Sequence, residues 1–277
     1  MQEKYNTKAG LILDRIRKEP PLVQIITNYV TINDVANALL CLGGSPAMVE
    51  AEAEAASFAK IVSALYLNVG TLTAEQSRAM PLALAVARER GIPVVLDPVA
   101  CGAFPEKMAY VRTLLAAGGI SIIKGNAAEI MSLAGMDARS RGVDSLESGS
   151  NLAQACLSVA QANQAVVMAT GVTDTVSDGK DVWTIAGGDA LLGRVSGTGC
   201  TLGGLVAAAA VAARAVGGTD ADGCLAAGCA FGLAAERAAL LPQTVGPMSF
   251  RTALLDSLST VHPEDLAACA EKSVTRL

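Results

Sequence analysis

A cysteine at the start of an alanine-rich segment is the residue of this sequence most suited to chemistry. The run Gly197-Thr198-Gly199-Cys200 leads directly into a helix that we predict over residues 199–216. A glycine turn at a helix start leaves backbone N–H groups without intrahelical acceptors, and the helix dipole adds partial positive charge there. The run therefore predicts a site for a phosphate or a developing anion, with the Cys200 thiol at its mouth. Glycines before a helix also serve packing alone, so the motif by itself does not decide between these interpretations.

Three charged residues follow short apolar segments and suit a site for Mg²⁺ and phosphate. Asp97 directly follows an apolar strand candidate, and a carboxylate there can hold Mg²⁺ through water. Lys124 ends the next candidate and can reach a phosphate, while Glu129 lies in the first turn of the helix that follows. The ordinary alternatives are a loop-stabilising Asp97, a solvated Lys124 and a capping box for Glu129. Because their strand ends are neighbours, we favour a shared site for Asp97 and Glu129.

Polar residues near the first strand and after a later one add weaker signals. Asn28, Asn33 and Asn37 are closely spaced, and asparagine is unfavourable inside helices, which indicates hydrogen bonding or capping. Met48 lies beside a Gly43-Gly44-Ser45-Pro46 turn and is ordinarily core filler. Thr170 and the glycine after it end another strand candidate and, taken alone, indicate only a turn.

Apolar segments alternate with helical ones along most of the chain. This alternation predicts an α/β fold with a mostly parallel sheet that is covered on both faces. Ligands bind outside the carboxyl ends of such strands, so the polar loops should converge on one site. We find no linker or repeat, and we expect one domain over residues 1–277 with a surface loop at 137–150. Strands are predicted at residues 22–26, 47–49, 64–68, 92–96, 121–124, 165–170, 173–177 and 182–185, and helices at 1–18, 33–42, 73–90, 105–116, 126–134, 152–163, 199–216, 220–241, 249–258 and from 263.

Composition argues against several classes of protein. The 277 residues are 52% hydrophobic with a mean hydropathy of +0.42, but the longest uncharged apolar run, residues 202–213, is shorter than the roughly 20 residues of a bilayer span. A net charge of −5 without a basic stripe argues against nucleic acid as a partner.

Seven cysteines without a CxxC pair indicate reduced, mostly buried thiols, and the sequence has one histidine, His262. Walker A and GxGxxG sequences do not occur, and we expect a soluble cytoplasmic protein.

In their order along the chain, these motifs resemble those of the hydroxyethylthiazole kinases, a family of the ribokinase-like superfamily. The resemblance covers about residues 20–258, and the ordered combination is highly specific although each motif alone is weak. Its elements are Asn28, Asn33 and Asn37; Pro46-Ala47-Met48; Leu96-Asp97-Pro98-Val99; Lys124-Gly125-Asn126 with Glu129; Thr170-Gly171 with Asp174, Ser177, Asp178 and Gly179; Gly197-Thr198-Gly199-Cys200; and Gly246-Pro247 with Ser249, Phe250 and Arg251.

The resemblance implies a fold, a reaction and an assembly. It implies a three-layer α/β/α domain without a separate lid. The implied reaction uses ATP and Mg²⁺ to phosphorylate the primary alcohol of 4-methyl-5-(2-hydroxyethyl)thiazole, in thiamine synthesis and salvage. The implied assembly is a homotrimer with active sites between subunits.

The resemblance also assigns roles to individual residues. The thiazole would contact Met48 and Gly197, with Asn28 nearby; ATP would contact Lys124 and Thr170; Asp97 and Glu129 would support Mg²⁺; and Gly197, Thr198, Gly199 and Cys200 would form the anion hole. The chain departs from the family pattern at two positions. Many members carry arginine at the position of Lys124, so the charge is kept and the bidentate fork is lost. The turn reads Gly-Thr-Gly-Cys instead of the common Gly-Cys-Gly-Cys, which keeps the second cysteine.

Cys200 stands where most ribokinase-like enzymes place an aspartate base. We expect it to orient the substrate hydroxyl and accept its proton late, because a loose transition state needs little early deprotonation. The helix N-terminus is expected to lower the pKa of its thiol. Three alternatives stay open: a kinase for another alcohol such as a hydroxymethylpyrimidine or a sugar, an ATP-dependent hydrate dehydratase of the same fold, which Cys200 disfavours, and a nucleotide-binding protein without turnover.

Overall fold

A computed structural model describes residues 3–136 and 149–277 of the chain. The surface loop predicted at 137–150 lies outside these residues, except for its last two positions, which begin a helix. The first two residues of the helix predicted at 1–18 also lie outside them.

A nine-stranded sheet runs through the described part of the chain. Its strands are β1 (Leu22–Ile26), β2 (Ser45–Ala47), β3 (Ala64–Asn68), β4 (Val94–Asp97), β5 (Ile122–Asn126), β6 (Val166–Thr170), β7 (Thr173–Ser177), β8 (Val182–Ala186) and β9 (Val274–Arg276). Their order in the sheet is β2-β1-β3-β4-β5-β6-β7-β8-β9. The pairs from β2 to β6 are parallel, and β7, β8 and β9 continue the sheet in antiparallel pairs. The parallel part therefore brings the carboxyl ends of six strands to one edge.

Helices cover both faces of the sheet. They are α1 (Glu3–Lys18), α2 (Ile32–Leu42), α3 (Glu52–Ala59), α4 (Ala74–Arg90), α5 (Pro105–Ala117), α6 (Ala127–Leu133), α7 (Gly149–Asn163), α8 (Thr198–Ala215), α9 (Asp220–Leu240), α10 (Pro247–Ser259) and α11 (Pro263–Ser273), with a 3₁₀ helix at Ala190–Arg194. One core packs α1, α2 and α8 to α11 against the sheet, and a second core packs α3 to α7 against the other face. Val95 belongs to the first core and its neighbours Val94 and Leu96 to the second, because alternate strand residues face opposite sides.

This architecture confirms the predicted three-layer α/β/α fold with a mostly parallel sheet. One predicted strand is displaced: residues 47–49 were expected, whereas β2 is Ser45–Ala47, because these residues pair in register with Leu22, Val23 and Gln24 of β1. Helix α3, the 3₁₀ helix and β9 were not predicted. The three residues of β9 are too few to show a pattern, and their strand character comes from pairing with β8 across the chain.

Helices α8 and α9 are long and apolar enough to cross a membrane when only length and composition are considered. In each of them, 67% of the most apolar stretch of 18 residues is buried inside the protein. Both belong to the first core, where α8 lies between the sheet and the helices outside it. Their hydrophobicity is therefore used in packing.

Candidate active site

The carboxyl ends of the parallel strands carry polar residues that the register brings side by side. Asn68, the last residue of β3, pairs with Asp97, the last residue of β4. Lys124 was predicted at the end of β5 but lies inside it, because this strand continues to Asn126. Asn28 follows β1 by two residues. All four side chains are buried, so they need partners among themselves.

The turn before α8 has a backbone that requires glycine. Gly197 has a φ of +85°, and a Cβ atom there would lie 2.1 Å from Thr31 Cγ2. Gly197 also has no side chain to accept hydrogen bonds from the first turn of the helix, and none of the described side chains caps it. The first hydrogen bond of the helix runs from Thr201 N–H to Gly197 O. The N–H groups of Thr198, Gly199 and Cys200 precede this bond and are the donors that a helix start leaves free for a ligand.

A buried ion pair lies beside this turn. Lys124 Nζ donates to Asp97 Oδ2 at 3.1 Å, and the two residues are 2% and 1% exposed. Lys124 Nζ also lies 3.2 Å from where a Cβ atom of Gly199 would be, so the ammonium group reaches the first turn of α8. Burial opposes the charge of Lys124, but Asp97, Cys200 and Glu129 outweigh it and raise its pKa. The ammonium is therefore charged at neutral pH, and the solvated lysine considered from the sequence is wrong.

Tyr66 links the carboxylate to the turn, and sequence reasoning did not identify it. Its hydroxyl lies 2.9 Å from Asp97 Oδ2 and 2.9 Å from the carbonyl oxygen of Cys200, and it accepts a hydrogen bond from Asn68 Nδ2. A hydroxyl has one proton, so it donates to one of these two oxygens at a time. Burial, followed by the charge of Asp97, raises the pKa of Tyr66 well above its usual value. The hydroxyl is therefore neutral.

Cys200 lies at the mouth of the turn, as predicted, but its thiol is less acidic than predicted. Asn28 Nδ2 donates to Cys200 Sγ at 3.3 Å. Burial and the charge of Asp97 raise the pKa of Cys200, although Lys124 and the amides of Asn68 and Asn28 lower it in part. The expectation that the helix N-terminus lowers this pKa is wrong, because desolvation outweighs the favourable electrostatics. Cys200 is a neutral thiol near pH 7.

Glu129 joins the loop after β4 to the end of β5 through hydrogen bonds. Its Oε1 accepts from the N–H of Ala100 at 2.8 Å, and its Oε2 accepts from the N–H of Asn126 at 2.7 Å. Asn126 Oδ1 in turn accepts from the N–H of Glu129, which completes the capping box considered from the sequence. Ala100 has a φ of +57°, a strained value for alanine that this hydrogen bond helps to hold. Burial and the nearby Asp97 raise the pKa of Glu129.

Asp97 retains one free acceptor. Its Oδ1 is buried and has no hydrogen-bond partner among the described residues, whereas its Oδ2 faces Lys124 and Tyr66. Carboxylate oxygens are the ligands that Mg²⁺ takes, directly or through water. The residues present therefore fit a Mg²⁺ ion at Asp97 better than at Glu129, whose oxygens both accept backbone N–H groups.

A cleft of about 600 Å³ opens beside the turn before α8. Its lining includes Thr170, Thr198 and Gly199. Thr170 is the last residue of β6, and its hydroxyl donates to the carbonyl of Gly125 at 3.3 Å. Met48 directly follows β2 and packs against the first core, as Cys200 also does. The structure thus brings together Asn28, Asp97, Lys124, Gly197 and Cys200, and Thr170 lines the same cleft as Gly199.

Residues 13–264 match the family model described as the hydroxyethylthiazole kinase family. The chain belongs to the hydroxyethylthiazole kinase family. A hydroxyethylthiazole kinase of Desulfitobacterium hafniense is 46% identical over 264 residues, which cover 94% of this chain and 95% of the relative. Membership of this family makes the protein a kinase.

Solved structures agree with the family and the fold. A hydroxyethylthiazole kinase protein from Pyrococcus horikoshii OT3 superposes with a TM-score of 0.85 and 32% identity, covering 99% of both chains. A ribokinase-like superfamily protein of Enterococcus faecalis V583 superposes with a TM-score of 0.58 at 14% identity over 86% of each chain. This second likeness concerns the fold alone, and it confirms the ribokinase-like architecture of the family member described here.

Proposed function

We propose that this protein transfers the γ-phosphoryl group of ATP to the primary hydroxyl of 4-methyl-5-(2-hydroxyethyl)thiazole, in thiamine synthesis or salvage. The observation that carries the proposal is the position of Lys124 Nζ, which is buried against the first turn of α8, beside Gly199 of the cleft lining. A fixed ammonium and a row of free backbone donors converge there on one point. Phosphoryl transfer needs this arrangement, because most of its catalysis is positioning and charge stabilisation.

In this proposal different parts of the nucleotide contact different residues of the site. Thr170 binds ATP at the sheet side, and Lys124 binds its phosphates at the helix side. The backbone N–H groups from Gly197 to Cys200, including Thr198 and Gly199, stabilise charge on the transferred group as the anion hole. The fit is supported by the lining of the cleft, which contains Thr170, Thr198 and Gly199.

The thiazole would lie on the other side of the turn, near Met48, Gly197 and Asn28. Cys200 then faces the attacking hydroxyl and orients it, with late acceptance of its proton. The raised pKa of the thiol supports an orienting role at neutral pH. The hydroxyl proton is accepted by the thiolate form, whose fraction grows as the pH rises. Asn28 fixes the direction of the sulfur through its 3.3 Å hydrogen bond.

Asp97 would hold Mg²⁺ through its free Oδ1, and Glu129 would support the ion by keeping the loop at Ala100 in place. When bound, Mg²⁺ neutralises phosphate charge. Lys124 orients Asp97 for this task through the buried ion pair. Tyr66 holds the same carboxylate and the carbonyl of Cys200 at a fixed separation.

We further propose a single kinase domain over residues 1–277 without a separate lid, acting in the cytoplasm. A homotrimer with active sites between subunits would bring a second chain to the thiazole side. The family resemblance of the ordered motifs supports this arrangement. Neither nucleic acid nor a membrane has a part in the proposal, given the net charge of −5.

A coupled assay of ADP release, with and without the thiazole alcohol, tests this function. We expect release that depends on both the alcohol and Mg²⁺. Release with a hydroxymethylpyrimidine or a sugar and not with the thiazole would contradict the substrate. ATP binding without release would contradict the reaction itself.

A matched pair of lysine variants sharpens the assay. Lys124→Gln should raise the KM for ATP by about tenfold or more, because a charged hydrogen-bond donor to phosphate is lost. Lys60→Gln, at an exposed position, is the control and should leave KM unchanged. Equal effects of the two substitutions would argue against Lys124 as a phosphate ligand.

A further inference from the structure

Two cysteines from different helices meet at the wall of a narrow cavity. Cys229 belongs to α9 and Cys269 to α11, and both line this cavity. Cys269 Sγ lies 3.7 Å from the carbonyl oxygen of Cys229, to which it donates, and 3.7 Å from Ser273 Oγ, so the two cysteines are in contact. Cys229 is 1% exposed, whereas Cys269 is half-buried. A small reagent in solution therefore reaches Cys269 first and finds a second thiol beside it.

The electrostatic surroundings support reactivity at Cys269. Interaction with the Cys229 side chain lowers its pKa to about 7; burial and Glu236 oppose this shift, while Ser273 and Arg237 add to it. Each of the other six cysteines has a raised pKa, to about 11 for Cys101 and about 12 for Cys156. The thiolate is the reacting form of cysteine, so selective chemistry is expected at Cys269.

We propose that Cys269 and Cys229 form an oxidisable dithiol, a modification site for small peroxides. The Cys269 thiolate attacks a peroxide oxygen, the O–O bond breaks, and a sulfenic acid forms with release of water or an alcohol. The Cys229 sulfur then attacks the Cys269 sulfur, the S–O bond breaks, and the second oxygen leaves as water. Two thiols are thereby oxidised to one disulfide while one peroxide is reduced, and both thiol protons end in the products.

The narrow cavity that the dithiol lines adjoins the cleft beside α8. The narrow cavity and the cleft share Gly171, Asp174 and Gly187 in their linings. Residue 228, which precedes Cys229, is a glycine whose Cβ would lie 3.8 Å from Asp174 Oδ2. A disulfide that draws α9 toward α11 therefore moves the wall behind Asp174. We expect this movement to weaken ATP binding, and that expectation rests on the proposed function. The thiol chemistry does not depend on the proposed function.

Peroxide treatment of the reduced full-length protein tests the proposal. With one equivalent of hydrogen peroxide, we expect the loss of two free thiols and a crosslinked pair of peptides containing Cys229 and Cys269 in non-reducing mass spectrometry. In Cys229→Ser, dimedone should trap a sulfenic acid on Cys269. In Cys269→Ser, Cys229 should stay reduced. A crosslink between other cysteines, or oxidation of Cys229 in Cys269→Ser, would overturn the proposal.

Alkylation rates give a second measurement that does not depend on the serine variants folding. At pH 7, iodoacetamide should label Cys269 about five- to tenfold faster than Cys41, because its larger thiolate fraction exceeds its loss of intrinsic nucleophilicity. Cys41 is the matched control, since it is also half-buried and its pKa is raised. Equal rates at the two cysteines would contradict a selective site.

Kinase assays on oxidised and re-reduced protein separate the two proposals. Oxidation should raise the KM for ATP at least about threefold in the wild type, and not in Cys269→Ser. An unchanged KM in a protein with the crosslink would overturn the coupling to the cleft. A protein that forms the crosslink yet phosphorylates no thiazole would contradict the proposed function and leave the dithiol intact.

Discussion

Asn28 Nδ2 lies 3.3 Å from Cys200 Sγ, and a backbone N–H group fixes the orientation of the Asn28 amide. The Asn28 Oδ1 atom accepts from the N–H of Thr31 at 3.2 Å, and a backbone N–H can only donate. The NH₂ group must therefore point to the sulfur and to Asn68 Oδ1, 3.0 Å away. The sulfur is thus an acceptor toward Asn28, and its own proton is free to turn elsewhere.

Asn28→Asp should lower kcat about tenfold, because it removes this donor while keeping the acceptor for Thr31. A hydrogen bond in a buried site is worth about 1–1.5 kcal/mol, which corresponds to that factor. The new carboxylate also raises the pKa of Cys200 further, so the pH at which activity rises should shift upward. The measurement is a pH–rate profile of kcat for wild type and variant.

Asn37→Asp is the control for this substitution, because among the described residues Asn37 donates only to Asn33 of the same helix, α2. It should leave the pH profile unchanged. If Asn28→Asp lowers kcat without moving the profile, Asn28 acts on the substrate directly, and the role through Cys200 is wrong.

Cys200→Asp should keep or raise activity at pH 7 and flatten its rise with pH. The raised pKa of the thiol leaves it protonated at neutral pH, so wild-type activity should increase as the pH rises toward that pKa. The usual pKa of a carboxylate is roughly two pH units or more below the range from pH 6 to 9 that a kinase assay covers. Burial and Asp97 raise it at this position, but it should still be more ionised than the thiol. Steady-state rates across this range test the expectation.

Cys200→Ala separates the two possible contributions of the thiol. It should lower kcat, and a folded alanine variant with full kcat and an unchanged pH profile would remove Cys200 from the mechanism. An inactive but folded Cys200→Asp would argue against any role as a base. Circular dichroism and a melting temperature on each variant show whether it is folded.

Local sequence signals account for much of the site. Asp97 was predicted correctly at a strand end, because an apolar run followed by a charged residue is a local pattern. Lys124 was singled out for the same reason, but its burial inside β5 depends on an ion pair with a residue 27 positions away. The ordered motifs also predicted the family and the fold, both of which are confirmed.

Long-range contacts account for what was missed. Tyr66 has the pattern of a core strand residue, and its role appears only when α8 brings the carbonyl of Cys200, 134 residues away, to its hydroxyl. The meeting of Cys229 with Cys269, 40 residues later, depends on the packing of α9 against α11. The pKa of Cys200 was mispredicted because a helix N-terminus is visible in sequence, whereas the depth of burial is not.

Asp174 should make the protein less stable as the pH rises from about 4 to about 6. Burial raises its pKa to about 6 from the ordinary value of 3.8, although the N–H of Gly171 and the charge of Lys124 lower it in part. Between these values the folded protein binds more protons than the unfolded chain, so stability falls with increasing pH. The full effect is at most roughly 3 kcal/mol, from about two pKa units.

Asp174→Asn removes this titration and retains an oxygen that accepts from Gly171. Urea unfolding at pH 4 and pH 7 should show a variant that is more stable than the wild type at pH 7 and closer to it at pH 4. Asp178→Asn, on the exposed turn between β7 and β8, is the matched control. A variant that is less stable than the wild type at pH 7 would contradict the sign of the effect.

Gly197→Ala should cost more stability than Gly217→Ala, although both glycines have a positive φ. The values are +85° for Gly197 and +72° for Gly217, so each alanine meets similar backbone strain, about 1 kcal/mol or more. A Cβ atom at Gly217 meets nothing within 4 Å, whereas at Gly197 it would lie 2.1 Å from Thr31 Cγ2. The difference between the two unfolding free energies measures the contact with Thr31.

The double variant Gly197→Ala with Thr31→Ser isolates that contact. Serine lacks the Cγ2 atom but keeps the hydroxyl that donates to Asn28 at 3.1 Å, so the double variant should recover part of the lost stability. It should also recover part of kcat, because the collision displaces the N–H groups of α8 that the transferred phosphoryl group needs. If Gly197→Ala and Gly217→Ala cost the same and Thr31→Ser recovers nothing, the close approach of Thr31 does not fix this turn. In that case the requirement for glycine at position 197 comes from its backbone conformation alone.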